Sequence, residues 1–208
     1  MHRSSDKLHK KRTVERKKAQ RELKDAILIL TEWRNTEPSY FKKLCKSYEL
    51  TNYTIQPAKH SDCKSIINEA IRIKKRKEYQ EIWCVFDYDN RLNFDTEIQR
   101  WKHEWIYIAY SNFCFEFWIL LHFNNYTCWS WFNSSQELLD ILLQSLPKWC
   151  EFDERKIVNE ELFNKMRLSQ SEAIARAKRL DSGHWNKSDS QKNPNTTVYV
   201  LVEKISTA

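Results

Sequence analysis

A single glycine, Gly183, stands in 208 residues, and that scarcity excludes more than any residue present. Dinucleotide fingerprints and phosphate-cradling loops both need several glycines, so phosphate would have to be handled by carboxylate-bound metal and basic side chains. The six cysteines (Cys45, Cys63, Cys84, Cys114, Cys128, Cys150) never pair as CxxC or CxH, which argues against a zinc site or a disulfide framework. Several stand in apolar company, as Cys84 does in Ile82-Trp83-Cys84-Val85-Phe86, and read as small buried hydrophobes in a reducing cytosol. The longest apolar stretch, Phe113 to Phe123, is interrupted by Glu116 and too short for a bilayer. Met1-His2-Arg3 opens a charged run without the apolar segment of a secretory signal. A soluble, cytoplasmic protein without membrane association is expected.

What is present belongs to a folding sequence: 41% of residues are apolar and 13% aromatic. Thirty-five basic against 28 acidic residues give a formal charge of +7, which suits a polyanionic partner without identifying one. Residues 1–22 are rich in Lys and Arg and read as a solvated basic arm, with contact to a nucleic-acid backbone as the alternative. Residues 23–208 read as a single domain.

From Ala26 an unbroken apolar run, Ile27-Leu28-Ile29-Leu30-Thr31, marks a strand buried on both faces of a parallel sheet. A helix follows near Thr36, with Glu37 and Pro38 in its first turn. A short strand at Tyr53-Thr54-Ile55 precedes a helix capped by Ser61 or Asp62 and ending in Lys74-Lys75-Arg76-Lys77. A second strong strand spans Glu81 to Asp87, a polar helical stretch runs through Gln99, and a third strand covers Trp105 to Ala109. Such alternation predicts an α/β fold: a parallel sheet flanked by crossover helices. Beyond Ser111 helices are expected at Phe113–Phe123, Gln136–Leu146, Glu160–Met166 and Ser171–Leu180, then a loop over Asp181–Pro194. Val198, Leu201, Val202 and Ile205 repeat at helical spacing, so the C-terminal segment reads as helix despite its strand-forming residues.

Both strong strands end in acid: Glu32 after the first, Asp87 and Asp89 after the second. Ligands of open parallel sheets bind beyond the carboxyl ends of the strands. If the two strands are neighbours, the three carboxylates gather at one rim and repel unless a cation sits between them. Hard oxygen donors of this kind suit Mg²⁺ or Mn²⁺. A DxD alone is more readily read as a turn, since Asp favours turns. Its conjunction with Glu32 in the right strand order makes the metal reading the stronger one.

Four motifs follow in order: Thr31-Glu32-Trp33-Arg34-Asn35-Thr36-Glu37-Pro38-Ser39-Tyr40-Phe41, Val85-Phe86-Asp87-Tyr88-Asp89, the segment Ser111 to Phe123, and Asn193-Pro194-Asn195-Thr196-Thr197-Val198. Together they resemble the RloB-like family, a group with the TOPRIM nuclease fold associated with restriction–modification and abortive-infection loci. Trp33 stands where the family pattern has glycine, and Phe113 where it has proline. By position the resemblance implies Glu32 as general base or metal-binding acid and Asp87 and Asp89 as Mg²⁺ (or Mn²⁺) ligands. Glu37 and Glu116 become candidates for a second metal, although Glu37 also suits a helix N-terminus on electrostatic grounds alone. Glu116, flanked by Phe115 and Phe117, needs a partner or a ligand if buried. His122 reads as a satisfied core histidine, and Lys156 or Lys187 as candidates to neutralise phosphate.

The resemblance implies a metal-dependent nuclease, the toxic effector of an anti-phage system working with a partner ATPase. Its substrate is left open among DNA, RNA and transfer RNA, as is assembly into a homo-oligomer. The basic arm and Lys74, Lys75, Arg76 and Lys77 are candidate nucleic-acid contacts. The alternative function is a non-catalytic nucleic-acid- or protein-binding subunit of the same kind of complex, for which Trp33 speaks.

Overall fold

The computed structural model describes residues 26–88, 94–102, 106–147, 150, 152 and 155–208. The basic arm, Asp89 and Trp105 lie outside the described residues.

Strand β1 (Ile27–Thr31) is buried along its whole length. Ile27 and Ile29 enter one hydrophobic core, while Leu28 and Leu30 enter another on the opposite face. Burial on both faces is why the run shows no polar alternation. Strand β3 (Glu81–Asp87) repeats the arrangement, sending Trp83 and Val85 one way and Ile82, Cys84 and Phe86 the other. With β2 (Tyr53–Pro57), β4 (Tyr107–Asn112) and the two-residue β5 (Asn195–Thr196), they form a five-stranded sheet of order β2-β1-β3-β4-β5. All pairings are parallel except β4 with β5. Strand β1 therefore lies directly beside β3, with Thr31 opposite Val85.

Helices α1 (Thr36–Ser47), α2 (Cys63–Lys74) and α3 (Phe94–Lys102) make the crossovers. Tyr40, Phe41 and Leu44 of α1 belong to the larger core, whereas Ile66, Ile67 and Ala70 of α2 and Phe94 and Ile98 of α3 belong to the smaller. Asp62 caps α2 by accepting the Ser65 amide at 2.8 Å, the local bond that short polar caps favour. The larger core is completed by α4 (Glu116–Leu120), α5 (Ser135–Ser145), α6 (Glu160–Leu168), α7 (Gln170–Gly183) and α8 (Val198–Ser206). The architecture is α/β, a mostly parallel sheet flanked by helices with a helical C-terminal part, as the alternation of patterns predicts. No helix among the described residues is long and apolar enough to cross a membrane.

Three local expectations need correction. The helix expected over Phe113–Phe123 is limited to Glu116–Leu120, because residues 111–122 are uniformly buried and their apolar continuity reports burial rather than helical period. The third strand runs Tyr107–Asn112 instead of ending at Ala109, since Ser111 and Asn112 pair with Thr196 and Asn195, 85 and 83 positions away. Residues 181–183 finish α7, and a short 3-10 turn at Asp189–Gln191 interrupts the expected loop. Helix α8 forms as expected, with Thr196 Oγ1 accepting the Val198 amide at 3.2 Å.

The lone glycine earns its place at the end of α7. A Cβ on Gly183 would lie 2.9 Å from Cys128 Sγ and 3.0 Å from its Cβ, closer than packed carbon tolerates.

Candidate functional site

Because β1 and β3 are adjacent and parallel, their carboxyl ends deliver Glu32 and Asp87 to the same rim. Glu32 donates its amide to the Val85 carbonyl at 2.9 Å, carrying the ladder one residue past the strand. Its Oε2 then accepts the Asp87 backbone N–H at 2.9 Å. Both acids are buried. Asp89, two residues on, lies outside the described residues.

Above them opens a cleft of about 770 Å³, lined also by Glu37 from the first turn of α1 and Glu116 from the first turn of α4. Glu116 is ion-paired with Lys156 at 3.0 Å, the partner that its apolar surroundings demand. Burial pulls the Lys156 ammonium down, but the Glu116 carboxylate outweighs that and holds it above its usual range. Lys156 reaches Glu116 from a left-handed backbone with φ of 52°, a conformation unfavourable for a side-chain-bearing residue.

Glu37 is the least ordinary group in the cleft. It is fully buried, and neither carboxylate oxygen has a donor in hydrogen-bonding geometry. Burial pushes its pKa up to about 8; the backbone amides of Glu37 and Trp33 offset this in part, and the carboxylates of Glu116 and Glu32 add to it. An orphaned carboxylate beside further acids is the chemistry a hard divalent cation satisfies, and its oxygen donors are of the right type. As arranged, however, no three His, Cys, Asp or Glu side chains among the described residues are grouped to share an ion.

Trp33 closes over this floor. Its indole Nε1 donates to Asp87 Oδ2 at 3.1 Å, while 51% of the residue remains exposed. Positive φ among the described non-glycine residues is confined to Glu49, Lys77 and Lys156, so Trp33 does not adopt the left-handed backbone that a glycine there would permit.

A basic rim surrounds the acidic floor: Arg34, Lys59, His60 and Arg155 line the cleft together with Lys156. Of these only Lys156 was among the residues singled out from the sequence. Lys59 and His60 follow β2 directly, so the rule that loops at strand carboxyl ends build sites would have found them. Lys74, Lys75, Arg76 and Lys77 do not line this cleft, although Arg76 lines a neighbouring groove of about 330 Å³ together with Lys59 and His60. Helix α2 runs back along the sheet from Asp62, which lines the cleft, and its 12 residues span about 18 Å. Its basic end is thus carried to the opposite edge, where Gln80 bonds Ala26 at the start of β1.

The remaining motif residues have structural work. His122 Nδ1 bonds the Trp118 carbonyl at 2.9 Å, and burial drives its pKa down to about 4, leaving it neutral. Ser111 and Thr196 join hydroxyls at 2.9 Å, and Asn193 Nδ2 donates to the Phe132 carbonyl at 2.8 Å. These bonds lock the C-terminal motif to β4 and to the loop before α5. Lys187 does not line the cleft.

The family model described as RloB-like protein matches residues 27–205. No curated protein and no solved structure matches the chain.

Proposed function

The chain belongs to the RloB-like family, and on that premise we propose that it is a divalent-metal-dependent nuclease of TOPRIM type. The observation that carries the reading is the recessed acidic floor under a basic rim, with Glu37 buried and orphaned among further carboxylates. Asp87, Glu32, Glu37 and Glu116 would hold Mg²⁺ or Mn²⁺, with Asp89 a further ligand from outside the described residues. A bound ion of that kind supplies charge stabilisation at a scissile phosphate and a more acidic water.

The chain's own residues do the rest. Arg34, Lys59, His60 and Arg155 attract the sugar–phosphate backbone to the cleft. The Asp87 amide fixes the Glu32 carboxylate in orientation through Oε2. Lys156 neutralises Glu116, and its ammonium would also be placed to meet a phosphate in the cleft. Glu37, whose carboxyl burial raises well above the usual carboxylate range, would have to ionise to serve as a ligand, so binding of a cation would be coupled to proton release.

In the cell this activity would act as the toxic effector of an anti-phage system restrained or triggered by a partner ATPase. Purified protein incubated with single-stranded DNA, RNA and transfer RNA should cut at least one of them in Mg²⁺ or Mn²⁺ and none in EDTA. Glu32→Gln and Asp87→Asn should each abolish cutting; if both variants still cut, the assignment is wrong.

One observation favours a second reading, a non-catalytic binding subunit: the Trp33 indole occupies Asp87 Oδ2. Such a subunit would bind nucleic acid or protein with a melting temperature indifferent to Mg²⁺ and Mn²⁺.

A further inference from the structure

The nuclease reading leaves the form of the substrate open, and the cleft carries two observations about it. The first is depth. Glu32, Asp87 and Glu116 retain only 4–5% of their surface. A phosphodiester must therefore descend into the cleft to meet them. The stiff cylinder of a duplex keeps its phosphates outside such a recess, whereas one strand can be drawn in. A cavity of about 770 Å³ is in the size range of a small-ligand pocket, roughly room for one or two nucleotides.

The second observation is Trp33. A large aromatic side chain, half exposed, stands at the mouth of the cleft and is pinned by its ring nitrogen to Asp87 Oδ2. That bond restricts the ring without covering it. A pre-oriented indole beside the carboxylates is a platform for a nucleobase, because base–aromatic stacking tolerates any sequence but needs an unpaired base. Arg34, the next residue, also lines the cleft and can meet the phosphate that follows.

We propose that Trp33 stacks one unpaired base of the substrate and that the cleft takes single-stranded nucleic acid, or an unpaired loop, in preference to a duplex. This rests on the nuclease reading and names its substrate class.

The test is fluorescence anisotropy with a labelled single-stranded oligonucleotide, as DNA and as RNA, and with the matching duplexes, in EDTA so that nothing is cut. The single strand should bind at least about 10-fold tighter than the duplex. Trp33→Ala should weaken single-strand binding by roughly 5- to 100-fold and leave duplex binding unchanged. Trp33→Phe, which stacks but cannot donate to Asp87, should stay within about 3-fold of wild type. Equal binding by wild type and Trp33→Ala, a Phe variant as weak as the Ala variant, equal affinity for duplex, or no binding to any strand each overturns the proposal. Cleavage in Mg²⁺ is scored separately on the same preparations. The predicted binding pattern without cleavage sinks the nuclease reading alone, and cleavage indifferent to Trp33 sinks this inference alone.

Discussion

The Glu32 carboxylate and the Asp87 backbone amide meet at 2.9 Å, in a buried bond that joins the ends of two strands 55 residues apart in the chain. The bond gives Glu32 a structural duty separable from any chemistry. Glu32→Gln retains an oxygen to accept the amide, whereas Glu32→Ala leaves the Asp87 N–H buried and unsatisfied. The Ala variant should lose about 1–3 kcal/mol in urea denaturation and the Gln variant markedly less. Equal losses would show that the bond does not hold the rim together.

Glu37 makes stability depend on pH in a direction that can be worked out. Its folded pKa of about 8 lies above the ordinary 4.5, so the folded state keeps a proton that the unfolded chain releases. Stability from this group is complete below about 4.5, falls as pH rises toward 8 and levels off beyond it. Glu37→Gln cannot ionise and should not show that fall. Its melting temperature, measured in EDTA, should gain on wild type between pH 5 and 8.5 by roughly 5 °C or more. A constant offset across that range contradicts the assignment.

Lys156 and Glu116 form a pair with one partner buried and the other 42% exposed. Lys156→Met leaves Glu116 without its counter-charge and should cost about 1–2 kcal/mol, less than a fully buried pair because water screens the lysine. Saturating Mn²⁺ should recover more stability in the variant than it adds to wild type, since a cation in the cleft takes over the ammonium's role. Identical Mn²⁺ shifts in melting temperature would separate Glu116 from any cation site.

Gly183 is required by a close approach rather than by a turn. Gly183→Ala pushes a methyl group against Cys128 and should destabilise by about 1–2 kcal/mol, overpacking outweighing the gain in helix propensity. Adding Cys128→Gly removes both contacting side-chain atoms, so the double variant should recover most of the loss. Additive losses in this cycle would place the cause elsewhere.

The parts of this fold legible in the sequence are those governed by local pattern. The runs Ile27–Thr31 and Glu81–Asp87 announce buried parallel strands, and Asp62 announces the start of α2. Adjacency of Glu32 and Asp87 needed one further condition, that these strands be neighbours, which sheet order satisfies. Features made by long-range contact left little local trace. Ser111 and Asn112 are strand because Asn195 and Thr196 pair with them, and the indole of Trp33 finds Asp87 across 54 positions. Lys74–Lys77, a candidate nucleic-acid grip as a run of charge, stand at the far end of α2 from the acids, with Arg76 in a groove that Lys59 and His60 also line. Of the rim residues, Arg34 stands inside the first motif without being marked out by it, and Lys59, His60 and Arg155 belong to no motif; only the loops that hold them bring them together.

Titration calorimetry of Mn²⁺ into the purified protein at pH 8, wild type beside Asp87→Asn and Glu37→Gln, measures whether these carboxylates hold a divalent ion. Wild type should bind Mn²⁺ with release of protons, and each substitution should weaken binding by at least about 10-fold. Absence of Mn²⁺ binding in wild type, or affinity unchanged in both variants, would contradict the account.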